Sequence, residues 1–228
     1  MVGGIIPAAG KGRRMNHFLP KQFLPLKEHP ILYYALKVFE DCEEIEEIVL
    51  VVDKQYIDLT QKIIISPYSW KKIKDIVPGG ETRQESVYKG LQCGKNWKWV
   101  VIHDAVRPFL SLSLLEKVIK EVKRHKAVTL GIPLEDTLKM TNGKGTIKKT
   151  VPREFLWRIQ TPQAFSYPLI LEAHEKAKKE KFFATDDAGL VEWLGEKVHI
   201  IMGSPLNIKI TNPMDLLLAQ SIIEMGKW

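Results

Sequence analysis

The sequence predicts an α/β fold, a mostly parallel sheet with helices on both faces, on two observations. Apolar runs of strand length alternate with stretches whose apolar residues recur every three or four positions. Glycine-rich or charged breaks close the strand-like runs, and sheets of this kind bind ligands just beyond the carboxyl ends of their strands. With 228 residues, 45% of them hydrophobic and 27% charged, the chain is long enough to bury such a core.

Taken in order, VGGII (residues 2–6) is a first strand, and ILYYALKVFEDC (31–42) has helical period. IVLVVD (48–53) is a buried-type strand followed by a helix-like piece. IKDIVPGG (73–80) ends at Gly79-Gly80, and RQESVYKGLQCG (83–94) is the next helix, with Thr82 as its cap. WVVIHDAVRP (99–108) is an apolar strand stopped by a charged tip. SLLEKVIKEVKRH (113–125) is amphipathic, and AVTLGIP (127–133) is a further strand. DTLKMTNGKGTIKKTV (136–151) breaks the rhythm, because two short β-like runs around Asn142-Gly143 signal a hairpin. A lone hairpin with so little apolar surface is marginal, so residues 134–156 either lie on the domain or project as an arm that packs on a second subunit. YPLILEAHEKAKKE (167–180) and DDAGLVEWLG (186–195) look helical, and KVHIIMG (197–203) and NIKIT (207–211) look like strands. PMDLLLAQSIIEM (213–225) closes as a helix with Pro213 at its start. One domain over 1–228, with 134–156 as its arm, is the simplest organisation.

No apolar run reaches the ~18–20 residues of a membrane span, and the N-terminus lacks the pattern of a signal peptide. The expectation is a cytoplasmic protein without membrane contact. Cys42 and Cys93 lie far apart, out of register with any metal motif, and read as incidental thiols. The net charge of +7 favours anionic partners, either nucleic acid or a phosphorylated small molecule. No stacking motif or recognition-helix pattern supports nucleic acid, so none is expected.

The most informative stretch is IIPAAGKGRRMNHFLPKQFLPL (5–26). Lys11, Arg13, Arg14, Lys21 and Lys27 all precede the first acid, Glu28. Gly10 and Gly12 let the backbone turn tightly after a strand and approach a ligand closely, with N–H groups free to meet an anion. The Walker pattern G-x-x-x-x-G-K-[ST] is absent. The dinucleotide fingerprint G-x-G-x-x-G fails at Met15, and the acid expected about 20 residues later is missing, since Asp53 lies further on. The segment therefore reads as a polyphosphate clamp rather than a nicotinamide site or a solvated turn.

PAAGKGRRM with PKQF resembles the signature of nucleotidyltransferases that join a sugar or polyol phosphate to a nucleoside triphosphate. With PGGETRQESV, HDAVRP, DTLK, QTPQAF, TDDAG and NIKIT in this order, the chain resembles the 2-C-methyl-D-erythritol 4-phosphate cytidylyltransferase family. That resemblance implies a Rossmann-like fold and the joining of CTP to methylerythritol phosphate with release of pyrophosphate. It implies catalytic roles for Arg14, Lys21 and Lys209. Nucleotide contacts fall on Ala8, Ala9, Gly10, Gly12, Gly79, Gly80, Arg83, Ser86 and Ala105. Contacts to the second substrate fall on Asp104, Arg107, Thr137, Arg153, Thr161, Thr185 and Asp186, with Arg153 and Thr161 serving the partner's site in a homodimer. The implied cofactor is Mg²⁺ held mainly by substrate phosphates, with no protein ligand assigned.

Plainer readings exist for several of these residues. Asp104 and Arg107 could order a loop as a surface ion pair of little worth. Thr185 and Asp186 could cap a helix, and Lys209 could be the outward residue of an alternating strand. Lys139, Lys148 and Lys149 could simply keep a hairpin edge soluble. A cytidylyltransferase for another polyol phosphate, such as ribitol 5-phosphate, would use the same clamp. A basic nucleic-acid module is the reading from a different class.

Overall fold

The structure, a computed structural model, describes residues 1–10, 12, 15 and 17–226. Among them, seven strands form one sheet in the order β11-β7-β10-β6-β1-β4-β5. Strand β1 (Val2–Ala8) pairs in parallel with β4 (Glu47–Val52) on one side and β6 (Trp99–Ile102) on the other. Strand β5 (Ile73–Pro78) extends the sheet beyond β4. Strands β7 (Ala127–Pro133) and β11 (His199–Met202) form the opposite edge, also in parallel. The expected α/β sheet is therefore present, with one strand reversed.

That reversed strand is β10 (Trp157–Ser166), which runs antiparallel between β6 and β7. The sequence reading did not identify it as a strand. Its polar residues, Gln160, Thr161 and Gln163, interrupt the apolar pattern, and its register shifts between Gln160 and Gln163. Such an irregularity re-aims side chains where a ligand is handled. NIKIT is the converse error. It forms no strand, because its neighbours bind it mostly through side chains rather than a ladder. Among the described residues, its backbone bond to a distant segment runs from Ile210 N–H to the Val106 carbonyl.

Helices cover both faces. On one, α1 (Ile31–Asp41), α4 (Leu112–His125) and the helical run from α2 (Ile57–Thr60) to Ile65 bury Leu32, Leu36, Phe39, Ile64, Leu115, Val118 and Ile119 against the sheet. On the other, α3 (Arg83–Leu91), α5 (Tyr167–Glu180) and α6 (Asp187–Trp193) bury Val87, Leu91, Ile170, Ala173 and Leu190. The last helix, α7 (Pro213–Glu224), starts with a capping box between Asn212 and Asp215. It packs a third apolar group, Ala219, Ile222 and Ile223, onto Leu26, Phe109 and Ile210. Leu26 belongs to a small ribbon of β2 (Pro25–Leu26) and β3 (His29–Pro30).

The hairpin is present as β8 (Leu138–Thr141) and β9 (Ile147–Val151), and every residue from 138 to 150 is exposed. Asn142 closes its turn, accepting from the N–H groups of Lys144 and Thr146. No helix among the described residues is long and apolar enough to cross a membrane.

The order in which strands are added to the sheet reverses at β1. The first three strands in the order β1, β4, β5 step one way, and β6 returns to the other side of β1. Loops after β1, β5 and β6 therefore gather at one crevice, the place where open sheets of this type bind ligands. Gly3 in β1 is required by packing, since a Cβ there would lie 2.2 Å from the Trp97 ring. We expect Gly3→Ala to destabilise the fold by about 1–3 kcal/mol, the usual range for overpacking, as read from urea unfolding.

Candidate active site

Three loops and one C-terminal segment build the crevice. In the first, Gly12 has φ +60°, a left-handed conformation that suits glycine, and its carbonyl accepts from Met15 N–H at 2.8 Å. Buried Gln22 braces this loop by donating to the carbonyls of Ala8 (2.5 Å) and Gly10 (3.3 Å). Lys21, in the same short turn, donates to the Ile210 carbonyl at 2.8 Å and so ties the first loop to the C-terminal segment.

In the second loop, Gly79 lets the chain pass close to the first loop and Gly80 lets it turn close over the start of α3. A Cβ on Gly79 would stand 2.3 Å from that of Ala9, and one on Gly80 would stand 2.4 Å from that of Glu85. Thr82 caps α3 by accepting from Glu85 N–H, as expected. Ser86 accepts from Gly80 N–H at 3.1 Å and donates to the Thr82 carbonyl at 2.9 Å. The glycine turn is thus rigidly joined to a helix N-terminus.

These loops line a cavity of about 460 Å³ that includes Ala8, Ala9, Gly10, Gly12, Lys21 and Ala105. A neighbouring cavity of about 500 Å³ includes Arg107, Gln160, Thr161, Gln163, Thr185 and Asp186. Both cavities are lined by Arg83, Asp104 and Lys209. Those three residues form the wall between the two spaces.

The wall is an ion network. Asp104 accepts from Arg83 Nε at 3.0 Å and from Lys209 Nζ at 2.8 Å, with Arg107 Nε 3.7 Å away. Burial alone would push the Asp104 carboxyl up, but Arg83, Lys209 and Arg107 hold it far below the usual carboxylate range. Arg83 reaches on to buried Asp187 at 2.8 Å, and burial and this pairing act on the Asp187 carboxyl in opposite directions, with pairing prevailing. The segment carrying Lys209 is fixed by its buried neighbours. Arg107 Nη1 donates to the Asn207 carbonyl at 2.7 Å, and Asn207 Nδ2 donates to the Thr161 carbonyl at 2.8 Å.

The sequence profile described as IspD, 2-C-methyl-D-erythritol 4-phosphate cytidylyltransferase, matches residues 2–225. The chain belongs to this family. The 2-C-methyl-D-erythritol 4-phosphate cytidylyltransferase of Clostridioides difficile (strain 630) is 45% identical over 228 residues, 100% of this chain and 95% of that one. That of Clostridium novyi (strain NT) is 46% identical, covering 96% of this chain and 95% of the relative. The crystal structure of 4-diphosphocytidyl-2C-methyl-D-erythritol synthase from Anaerococcus prevotii aligns with a TM-score of 0.86 and 33% identity. That alignment covers 98% of this chain and 96% of the other.

Most residues singled out from the sequence meet around the two cavities. Arg14 lies outside the described residues, as do Lys11 and Arg13. Lys209 does alternate with Ile208 and Ile210, which pack on the α7 side, but it does so from an irregular segment. Asp104 and Arg107 are buried rather than a surface pair, and the closer partners of Asp104 are Arg83 and Lys209. Asp186 caps α6, as the plainer reading held, and it also lines the second cavity beside Thr185. Thr161 comes from β10 of the central sheet rather than from the arm region, and lines this chain's own second cavity. Thr137 and Arg153 are exposed on either side of the hairpin and, among the described residues, line neither cavity.

Sequence reasoning missed the residues that hold the others in place. Gln163 donates to Thr129 and Asp186 and accepts from the N–H groups of Asp187 and Ala188. His103 is fully buried, and its Nε2–H donates to the Arg107 carbonyl at 3.0 Å. Its Nδ1 is therefore the acceptor, taking the Thr161 hydroxyl proton at 3.1 Å, while that hydroxyl accepts from Asp104 N–H at 3.0 Å. The available signal was polarity inside apolar runs: Gln160 and Gln163 near Ile159 and Phe165, and His103 after three aliphatic residues.

Burial holds the His103 imidazole down at about 4, so it is neutral near pH 7. Between its ordinary pKa of ~6.5 and ~4 the unfolded chain binds a proton that the fold refuses. Stability contributed here is complete above ~6.5 and falls as pH drops through that window, by up to about 3 kcal/mol. We expect NMR of the His103 ring to retain the neutral, Nε2-protonated tautomer at pH 5. A ring that titrates near 6.5 in the folded protein would contradict this arrangement.

Proposed function

We infer that this chain joins CTP and 2-C-methyl-D-erythritol 4-phosphate to give 4-diphosphocytidyl-2-C-methyl-D-erythritol and pyrophosphate. The observation that carries the reading is the pair of adjacent cavities divided by Arg83, Asp104 and Lys209. Two phosphorylated molecules can occupy the two spaces and meet at a cationic wall. The first cavity suits the nucleotide, with the glycine loop beneath its phosphates and Gly79, Gly80 and Ser86 beside its base. The second suits the polyol phosphate, with Arg107, Thr161, Thr185 and Asp186 around it.

The acceptor phosphate has a second pKa of ~6, so it already carries a nucleophilic oxyanion near pH 7. One of its oxygens attacks the α-phosphorus in line. The bond from that phosphorus to the bridging oxygen breaks, and pyrophosphate leaves with the electron pair. The obstacle is charge, since two unit charges 4 Å apart cost about 4 kcal/mol at an effective dielectric of 20. Positioning and cations lower that barrier. Arg14 and Lys21 hold the β- and γ-phosphates, and Lys209 stabilises the crowded α-phosphate.

The donor set of the nucleotide cavity suits Mg²⁺ held mainly by phosphate oxygens and water. Its carboxylates are Glu81 and Asp104, and Asp104 is already engaged by Lys209 and Arg83. These two would hold the ion through water, and the ion would supply further charge neutralisation to the triphosphate. The arm completes the reading. Leu138, Met140 and Ile147 are exposed on a two-stranded hairpin that has little stability alone, which favours docking on a second subunit. Thr137 and Arg153 would then reach the partner's acceptor cavity in a homodimer.

Pyrophosphate release from CTP should be at least tenfold faster per kcat/KM with methylerythritol phosphate than with ribitol 5-phosphate. Equal or reversed preference would assign the acceptor cavity to another polyol. Lys209→Ala and Arg14→Ala should each lower kcat by roughly 10²-fold, the usual loss for one charge-stabilising donor, a loss far larger than any change in folded fraction read from urea unfolding. Near-normal turnover in either variant would remove that residue from the mechanism.

A further inference from the structure

A third cavity, of about 450 Å³, opens between α3 and α5 and shares no lining residue with the two already described. Its walls are largely apolar, formed by Tyr88, Ala177, Phe182 and Phe183. Phe182 is held by stacking on Trp193, with ring centroids 4.4 Å apart. Phe183 has no such cover and is 68% exposed.

Its charge is one-sided. Lys178 and Lys181 line the space on exposed positions, with the Lys178 ammonium 5.0 Å from the Tyr88 ring centre. Lys89 also lines it and donates to the Gly79 carbonyl. The one acid among the lining residues, Glu85, is occupied by Glu81 N–H at 2.7 Å. An apolar body with lysines around it is complementary to a molecule that has an apolar part and an anionic head.

A buried polar group also faces this lining. His174 is 1% exposed, its ring lies parallel to that of Tyr88, and neither ring nitrogen has a hydrogen-bond partner among the described residues. Buried polar atoms are rarely left so. Its Nε2 lies 3.4 Å from Asp187, which holds Arg83, which in turn holds Asp104. The imidazole is therefore the shared element between the third cavity and the wall of the other two.

We propose that the cavity between α3 and α5 is a second ligand site for a small amphipathic anion, an alkyl or aryl phosphate or sulfonate. Its occupant contacts His174 and alters turnover through Asp187 and Arg83. This link to turnover rests on the transferase reading above, whereas binding does not.

Octyl phosphate is the probe, titrated calorimetrically into the full chain. One saturable site per chain is expected, still filled at saturating CTP with at most a severalfold change in affinity, and octanol and inorganic phosphate should each bind at least tenfold more weakly. The double variant Lys178→Glu/Lys181→Glu, at exposed positions, should weaken binding at least tenfold. Unchanged affinity in that variant, displacement by CTP, or no saturable binding overturns the site. In steady-state assays octyl phosphate should change kcat or KM at least threefold in the native chain. His174→Gln should retain binding and lose that effect. Binding without any kinetic change in an active native enzyme overturns the coupling. Binding by a chain that forms no cytidylyl product overturns the transferase reading alone.

Discussion

One buried carboxylate organises this protein. Asp104 sits at the end of β6 and is gripped by Arg83 from α3, Lys209 from the C-terminal segment and, at longer range, Arg107 from its own loop. Taking such charges out of water costs several kcal/mol per ion, and only close geometry with further hydrogen bonds offsets it. Those further bonds are present. Asp104 N–H goes to Thr161, Arg107 to Asn207, and Arg83 to Asp187. Segments more than a hundred residues apart are held to one point because releasing any of them would strand a charge.

That arrangement suits phosphate chemistry because the cations are fixed before substrate arrives. A flexible surface lysine would have to be ordered during the reaction, whereas Lys209 is held by its ion pair and by a segment anchored on Gln160, Thr161 and Arg107. His103 contributes by staying neutral. With Nε2–H committed to the Arg107 carbonyl and Nδ1 to Thr161, it fixes the loop's shape without adding another positive charge next to Arg107. The glycines act on the opposite side. Gly79 removes a Cβ that would hold the β1 and β5 loops apart and Gly80 one that would collide with Glu85 of α3, so the first cavity is closely bounded by backbone there.

The alternation of strands and helices was readable because a parallel sheet buried on both faces requires continuous apolar strands. The two misreadings share a cause. β10 looks polar because its glutamines and Thr161 line the second cavity, and NIKIT looks like a strand because half-buried Ile208 and buried Ile210 pack toward α7 on either side of Lys209, which faces the cavities. Periodicity records which side chains are buried and does not record whether the backbone is paired. Candidate site residues marked by glycine or by charge were legible for the same local reason: Gly79, Gly80, Asp104 and Lys21 stand out from their neighbours.

By itself the sequence determined the fold class and the place of a basic, glycine-containing segment after the first strand, because these follow from local patterns of burial, glycine and charge. Only the tertiary structure decided how the charges pair. Whether Asp104 belongs to Arg107, three residues away, or to Arg83 and Lys209 is set by where the sheet places α3 and the C-terminal segment. The roles of Gln163, His103, Asp187 and His174 were likewise decided there, since a buried polar side chain takes its meaning from partners that the chain brings to it from elsewhere.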